Sequence, residues 1–213
     1  MMRLVHSTAT KRWVFVAGSE RKVAVAAYHY YNGYVNSLGQ EDDIAILELE
    51  KDLVDDAVNV VCLPDQARQL APFFYSYGYG HDPENVDDFY NTVLKEVRIQ
   101  PKDYHDCQKK RKLTNAQIDK LLCMDDMHQK LVCQGDSGGP LLQRRDDNVK
   151  RMELIGTVVS GIKCDEARAD KFRTVSAVDY RGQLFTNVRQ YLAWICDITG
   201  VCYMRFDAQQ QLV

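Results

Sequence analysis

Short apolar or alternating segments, each closed by turn residues, run the length of this chain and leave few architectures open. Residues 13–18 (WVFVAG) are apolar and end in Gly, residues 23–31 are similar, and residues 44–49 (IAILEL) carry β-branched residues with late alternation. Residues 58–63, 73–79, 93–99, 141–142 and 154–159 continue the series. Strands of that length with turns between them predict an antiparallel β-barrel or sandwich. Two helices interrupt the pattern. Thr114 with Gln117 has capping-box spacing ahead of Ile118, Leu121 and Leu122 on one face. Asn187 with Gln190 repeats that spacing ahead of Val188, Tyr191, Leu192, Ile195 and Ile198, and Gly200 stands where a left-handed terminal glycine is expected. The polar stretch 65–72 reads as a link between two lobes, and 163–182 as a long charged irregular stretch.

The chain has 213 residues, 46% of them hydrophobic, enough for one globular unit of two small lobes. A net charge of −3 gives no basic excess for nucleic acid, and there is no acidic tail. No apolar run approaches the roughly 18 residues that span a membrane. The opening MMRLVHSTATKRW lacks the apolar core of about 7 residues that a secretory signal needs. Seven cysteines nevertheless point to an oxidised, secreted domain, and the odd number leaves one without a partner in the chain. The absent signal and the odd cysteine are both explained if an N-terminal part of a longer protein is missing.

Residues 133–142, CQGDSGGPLL, pack turn-forming residues around one serine. A serine hydroxyl is a weak nucleophile until a base, usually His, takes its proton and a third group orients that base. The oxyanion formed on carbonyl attack needs fixed N–H donors. Gly135 can present its N–H with no side chain in the way, and the Ser137 N–H can be the second donor.

This loop resembles the nucleophile loop of the chymotrypsin and trypsin family of serine endopeptidases. Other stretches follow in the family's order. Asp42-Asp43-Ile44-Ala45-Ile46-Leu47 resembles its Asp-Ile-x-Leu-Leu strand entry, Val61-Cys62-Leu63-Pro64 its inter-barrel Cys-Leu-Pro, and Tyr77-Gly78-Tyr79-Gly80 its Gly-Trp-Gly. Gly156-Thr157-Val158-Val159-Ser160-Gly161 resembles the strand beside the substrate, and Leu184-Phe185-Thr186-Asn187-Val188 the approach to the terminal helix. The Asp-Ile-Ala-Ile-Leu strand and the Ile-Cys-x-Ile-Thr-Gly-Val-Cys ending also resemble a divergent nematode branch of the family. The resemblance implies an all-β fold of two antiparallel six-stranded barrels, the first incomplete, with a C-terminal helix. Residues 1–68 would form the incomplete N-terminal barrel and 69–213 the second. It implies disulfides Cys107–Cys123 and Cys133–Cys164, leaves Cys196–Cys202 as a local extra pair, and gives Cys62 no partner in this chain.

The same resemblance assigns roles. Ser137 is the nucleophile, Asp43 the orienting aspartate with Asp42 a competitor one position away, and Gly135 and Ser137 the oxyanion donors. The family's Thr-Ala-Ala-His-Cys is absent, so His6 is the candidate base, the alternative being a histidine lost with the N-terminus. His29, His81, His105 and His128 lie in the wrong places. Leu131, Val159, Ser160, Gly161 and Gln183 line the specificity pocket; Leu131 in place of an acid argues against Lys or Arg preference, and Gln183 stands where a pocket glycine is usual. No Ile-Val-Gly-Gly start exists to pair with Asp136, which must find another cation, take up a proton or turn to water. The oxyanion loop is therefore expected in an unactivated form. The implied partner is a protein or peptide substrate met outside the cell by a monomer, with no nucleic acid and no membrane involved. No cofactor or metal is implied, since His128, Cys123 and Cys133 match no common zinc spacing. The alternative function is a non-catalytic homologue that binds a partner through the old cleft. Lys109-Lys110-Arg111-Lys112 reads as a solvated charged turn before a helix, with an anion patch or a nuclear signal as its alternatives.

Overall fold

In this computed structural model the described residues are 2–5, 12–16, 21–53, 59–67, 69–82, 93–125, 131–144, 151–161, 164 and 182–202. They fall into two compact units, Met1–Val61 and Cys62–Val213.

The N-terminal unit is a four-stranded antiparallel sheet in the order β1 (Met2–Val5), β2 (Trp13–Val16), β3 (Lys22–Tyr30), β4 (Ala45–Leu49). Val14, Val23, Ala24 and Val25 are its buried apolar residues. A register shift between Val25 and Ala27 bends β3 against β4. A one-turn helix, α1 (Asn32–Asn36), joins those two strands.

The C-terminal unit is a closed six-stranded barrel in the order β10-β7-β6-β5-β8-β9. The strands are β5 (Phe74–Gly78), β6 (Lys95–Pro101), β7 (Leu121–Asp125), β8 (Pro140–Arg144), β9 (Met152–Ser160) and β10 (Gln183–Asn187). Alternation in β5 sends Phe74, Ser76 and Gly78 inward. Phe74, Ile99, Leu141, Ile155 and Phe185 meet in the barrel core. Each such side chain contributes about 1.5–3 kcal/mol on burial. Closure removes the sheet edges that would otherwise invite pairing with other chains. The chain is therefore all-β, with one closed barrel, a partial second sheet and a short C-terminal helix.

Several elements differ from the sequence expectations. The helix after Thr114 is only α3 (Asn115–Ile118). Leu121 and Leu122 belong instead to β7, where they pair with Thr186 and Phe185 of β10 while Met124 and Asp125 pair with β6. The expected capping box closes the start of α3, Thr114 N–H donating to Gln117 Oε1 at 3.0 Å. Asn187 does not cap the terminal helix. Its amide donates to the Asp119 carbonyl at 3.0 Å, its oxygen accepts from Arg189, and a 3-10 turn (Val188–Tyr191) leads into α4 (Leu192–Thr199). Gly200 ends α4 at φ 70°, its N–H on the Cys196 carbonyl. The basic run is not a turn: Lys109, Lys110 and Arg111 form the last turn of α2 (Tyr104–Arg111). Cys62, expected within a strand, makes only an isolated bridge to Glu153.

The structure joins Cys107 to Cys123, Cys133 to Cys164 and Cys196 to Cys202, and Cys62 is a free thiol. Among the described residues no helix is long and apolar enough to cross a membrane.

Candidate active site

The loop between Cys133 and β8 is built from two consecutive turns. Asp136 N–H donates to the Cys133 carbonyl at 3.0 Å, and Gly139 N–H to the Asp136 carbonyl at 2.8 Å. Gly135 sits third in the first turn at φ 95°, a value a side-chain-bearing residue rarely adopts. The loop is stitched to β9 by Gly138 N–H on the Val158 carbonyl and Val158 N–H on the Gly139 carbonyl, both 2.9 Å. Ser137 stands exposed between these anchors. Among the described residues no acceptor takes the N–H of Gly135 or of Ser137.

Asp136 supplies the loop's deepest anchor. Its Oδ1 accepts from Gly80 N–H at 2.7 Å and its Oδ2 from Cys133 N–H at 2.8 Å. Charge-assisted bonds of this kind are about twice as strong as neutral ones. Two peptide N–H groups, which the expectation of a cation, a proton or water left out, hold this carboxylate. Gly78 and Gly80 make the seat possible, because a Cβ on either would overlap the Asp136 carboxyl. The Gly-x-Gly is visible in the sequence; its partner is not. His81 adds a brace through its backbone N–H on the Gln134 carbonyl at 2.8 Å.

Beside the loop, Gln183 on β10 is fully buried. Its Oε1 accepts from Val132 N–H at 2.7 Å, while its Nε2 has no partner among the described residues. A Cβ on Gly161 would meet the Val132 carbonyl oxygen at 3.4 Å and Gln183 Cγ at 3.7 Å. The glutamine side chain thus lies between the 131–133 segment and the end of β9. Leu131, Val159 and Ser160 are half-buried, and Gly161 is exposed.

A sequence that pairs this loop with this barrel has relatives. It matches the Trypsin family over residues 5–195. The chain belongs to the trypsin family. Among its curated relatives, tissue-type plasminogen activator of Pongo abelii is 30% identical over 194 residues, covering 84% of this chain and 31% of that protein. The Homo sapiens protein of the same name gives the same figures, 30%, 84% and 31%. Transmembrane protease serine 11E of Mus musculus is 28% identical over 161 residues, covering 75% of this chain and 35% of that protein. The chain spans about a third of the length of these relatives.

In this trypsin-family chain the remaining candidates lie on the N-terminal unit. Asp42 is buried at φ 53°, and its carboxyl packs so closely on Gly33 of α1 that a Cβ there would overlap it. Asp43, next along, is exposed as a residue, yet local desolvation pushes its carboxyl pKa above the ordinary value. The Asp42 carbonyl accepts from Ile44 N–H at 2.7 Å, which fixes the approach to β4. His29 Nε2 lies 3.1 Å from Glu48 Oε2, on the next strand of the same sheet. His6 and His128 lie outside the described residues. Among the described residues no cluster of His, Cys, Asp and Glu has the makings of a metal site.

Proposed function

We propose that this chain acts as a serine endopeptidase, with Ser137 attacking the peptide carbonyl. One observation carries the reading: the Gly135 and Ser137 N–H groups have no acceptor among the described residues, in a loop otherwise pinned by Asp136, Gly139 and Val158. Two such donors stabilise the oxyanion, each worth a factor of about 10²–10³ in rate. His6 takes the Ser137 Oγ proton and returns it to the leaving amine, and Asp43 orients that imidazole. Water then hydrolyses the acyl-enzyme by the same route.

Leu131 and the buried Gln183 support a shallow apolar pocket that accepts a small residue before the cleaved bond and rejects Lys and Arg. The disulfides support an oxidising, extracellular setting, with a monomer acting on protein or peptide substrates. A fluorophosphonate probe tests the reading. Folded chain takes the label, Ser137→Ala does not, and His6→Ala loses it to a similar extent. A second reading, a homologue that binds a partner without cleaving it, is favoured by the buried Gln183, which would partly fill such a pocket. It replaces the first if folded protein takes no label.

A further inference from the structure

Helix α2 presents cations in two sets. Lys102, just before it, pairs with Asp106 at 3.3 Å and Asp125 at 3.8 Å, and Lys110 pairs with Asp106 at 3.6 Å. Arg111 is consumed by the Gly182 carbonyl, at 3.2 Å from Nε and 2.6 Å from Nη2. Lys109, Lys112 and His105 form the second set, and none has a carboxylate partner among the described residues. These three, with Gln108 and Leu113, line a surface depression of about 410 Å³. Lys109, Lys112 and His105 are exposed, while Leu113 is half-buried against the Cys107–Cys123 cluster.

The mount is rigid. Cys107, fully buried, ties α2 to β7 through Cys123. Lys112 closes the helix in the left-handed region at φ 56°, its N–H on the Gln108 carbonyl. Gln108 Nε2 is held by Asn115 Oδ1 at 3.3 Å. The whole chain carries a net charge of −3, so this concentration of cations is local.

We propose that this depression binds a carboxylate-rich segment of a protein partner, two neighbouring acidic side chains meeting Lys109 and Lys112 while an apolar residue rests on Leu113. A long polyanion fits less well. Sulfated glycans and nucleic acids draw affinity from rows of available cations. Here the flanking Lys102, Lys110 and Arg111 are already engaged, and Asp106 on the same helix repels a dense anion. A short acidic segment needs only the two lysines, with His105 beside them as a further ring donor.

The test uses the Ser137→Ala chain, so the outcome is independent of catalysis. The probe is a rhodamine-labelled peptide, Gly-Glu-Glu-Leu-Glu-Gly amide, followed by fluorescence polarisation, with the Gln-for-Glu peptide as control. The acidic peptide binds, and the Lys109→Gln/Lys112→Asn double variant weakens it about tenfold, two exposed charge pairs at a few-fold each. Raising salt from about 50 to 300 mM weakens it as well. Asn is chosen at 112 because it tolerates the left-handed conformation, and an unchanged melting curve certifies the fold. The proposal is overturned if the peptide does not bind, if the control binds equally, or if the double variant binds like the parent. It is equally overturned if a heparin hexasaccharide or a DNA 12-mer binds these lysines more tightly than the peptide does.

Discussion

Replacing Gly80 with Ala puts a methyl group where the Asp136 carboxyl now sits. The new Cβ would lie 2.5 Å from each carboxylate oxygen, well inside the 3.0 Å that real Cβ contacts respect. The backbone of Gly80 cannot retreat without losing its own 2.7 Å bond to Oδ1, so the carboxylate must leave. Departure breaks two N–H bonds to a charged acceptor, worth about 1.5–3 kcal/mol each. Rehydration of the freed carboxylate returns part of this. A net cost of about 3 kcal/mol results, which lowers Tm by about 6–12 °C in a chain of this size. Circular dichroism melts measure it directly. The double-mutant cycle supplies the sharper test, because in an Asp136→Ala background there is no carboxylate to displace, and Gly80→Ala then costs under about 1 kcal/mol. Gly138→Ala serves as a control. A Cβ there meets nothing within 4 Å, so only its φ of 76° is penalised, by about 1–2 kcal/mol. Additive single and double variants, or a Gly80→Ala Tm within a degree of the parent, would refute the seat.

The Tm of Asp43→Asn gains on that of the parent as pH rises from 3 to 7. The carboxyl's folded pKa is raised by desolvation, so its ionisation opposes folding above that pKa and has no effect below the unfolded value; a Tm difference that does not change with pH would contradict this. Glu153→Ala lowers stability by about 3 kcal/mol in urea titrations. It strands the buried Gln143 amide, 2.9 Å from Glu153 Oε2, whose Oε1 in turn holds Ala71 N–H at 3.1 Å. Removing Cys133–Cys164, which closes a separation of 31 residues, costs more than removing Cys196–Cys202, which closes 6; the chain-entropy values are about 4 and about 2 kcal/mol, read as paired Cys→Ala melts.

The strands most visible in the sequence were those whose side chains follow a simple rule. β4 is apolar but for Glu48 and β5 carries three aromatic residues, and both sit within a residue or two of their expected bounds. β10 carries Gln183, Thr186 and Asn187, and all five of its residues are buried. Polar residues survive there because β7 and β9 pair with it on both sides. No hydrophobic pattern announces such a strand. β7 failed differently: Leu121 and Leu122 follow Ile118 at helical intervals, and a short apolar run fits either period until pairing decides. α2 has almost no apolar face. It forms because Asp103 accepts the Asp106 N–H at 2.9 Å and three cations occupy its last turn.

The candidate site shows the same division between local and distant causes. Ser137 and its glycines are contiguous, and contiguous chemistry is readable. The seat of Asp136 is not, because its donor Gly80 lies 56 residues away and gives only a backbone N–H. Every residue but proline carries that donor, so nothing in Gly80 as a letter marks it as a partner for a carboxylate. What marks it is negative: a missing Cβ, there and at Gly78, where any side chain would collide with the carboxylate. A carboxylate such as Asp136 has a fourth option beside cation, proton and water, the peptide N–H. Two fixed N–H dipoles can stand in for a counter-ion here because Asp136 is only half-buried. The loop around Ser137 is thereby held from within the chain, by a link between β5 and the turn before β8.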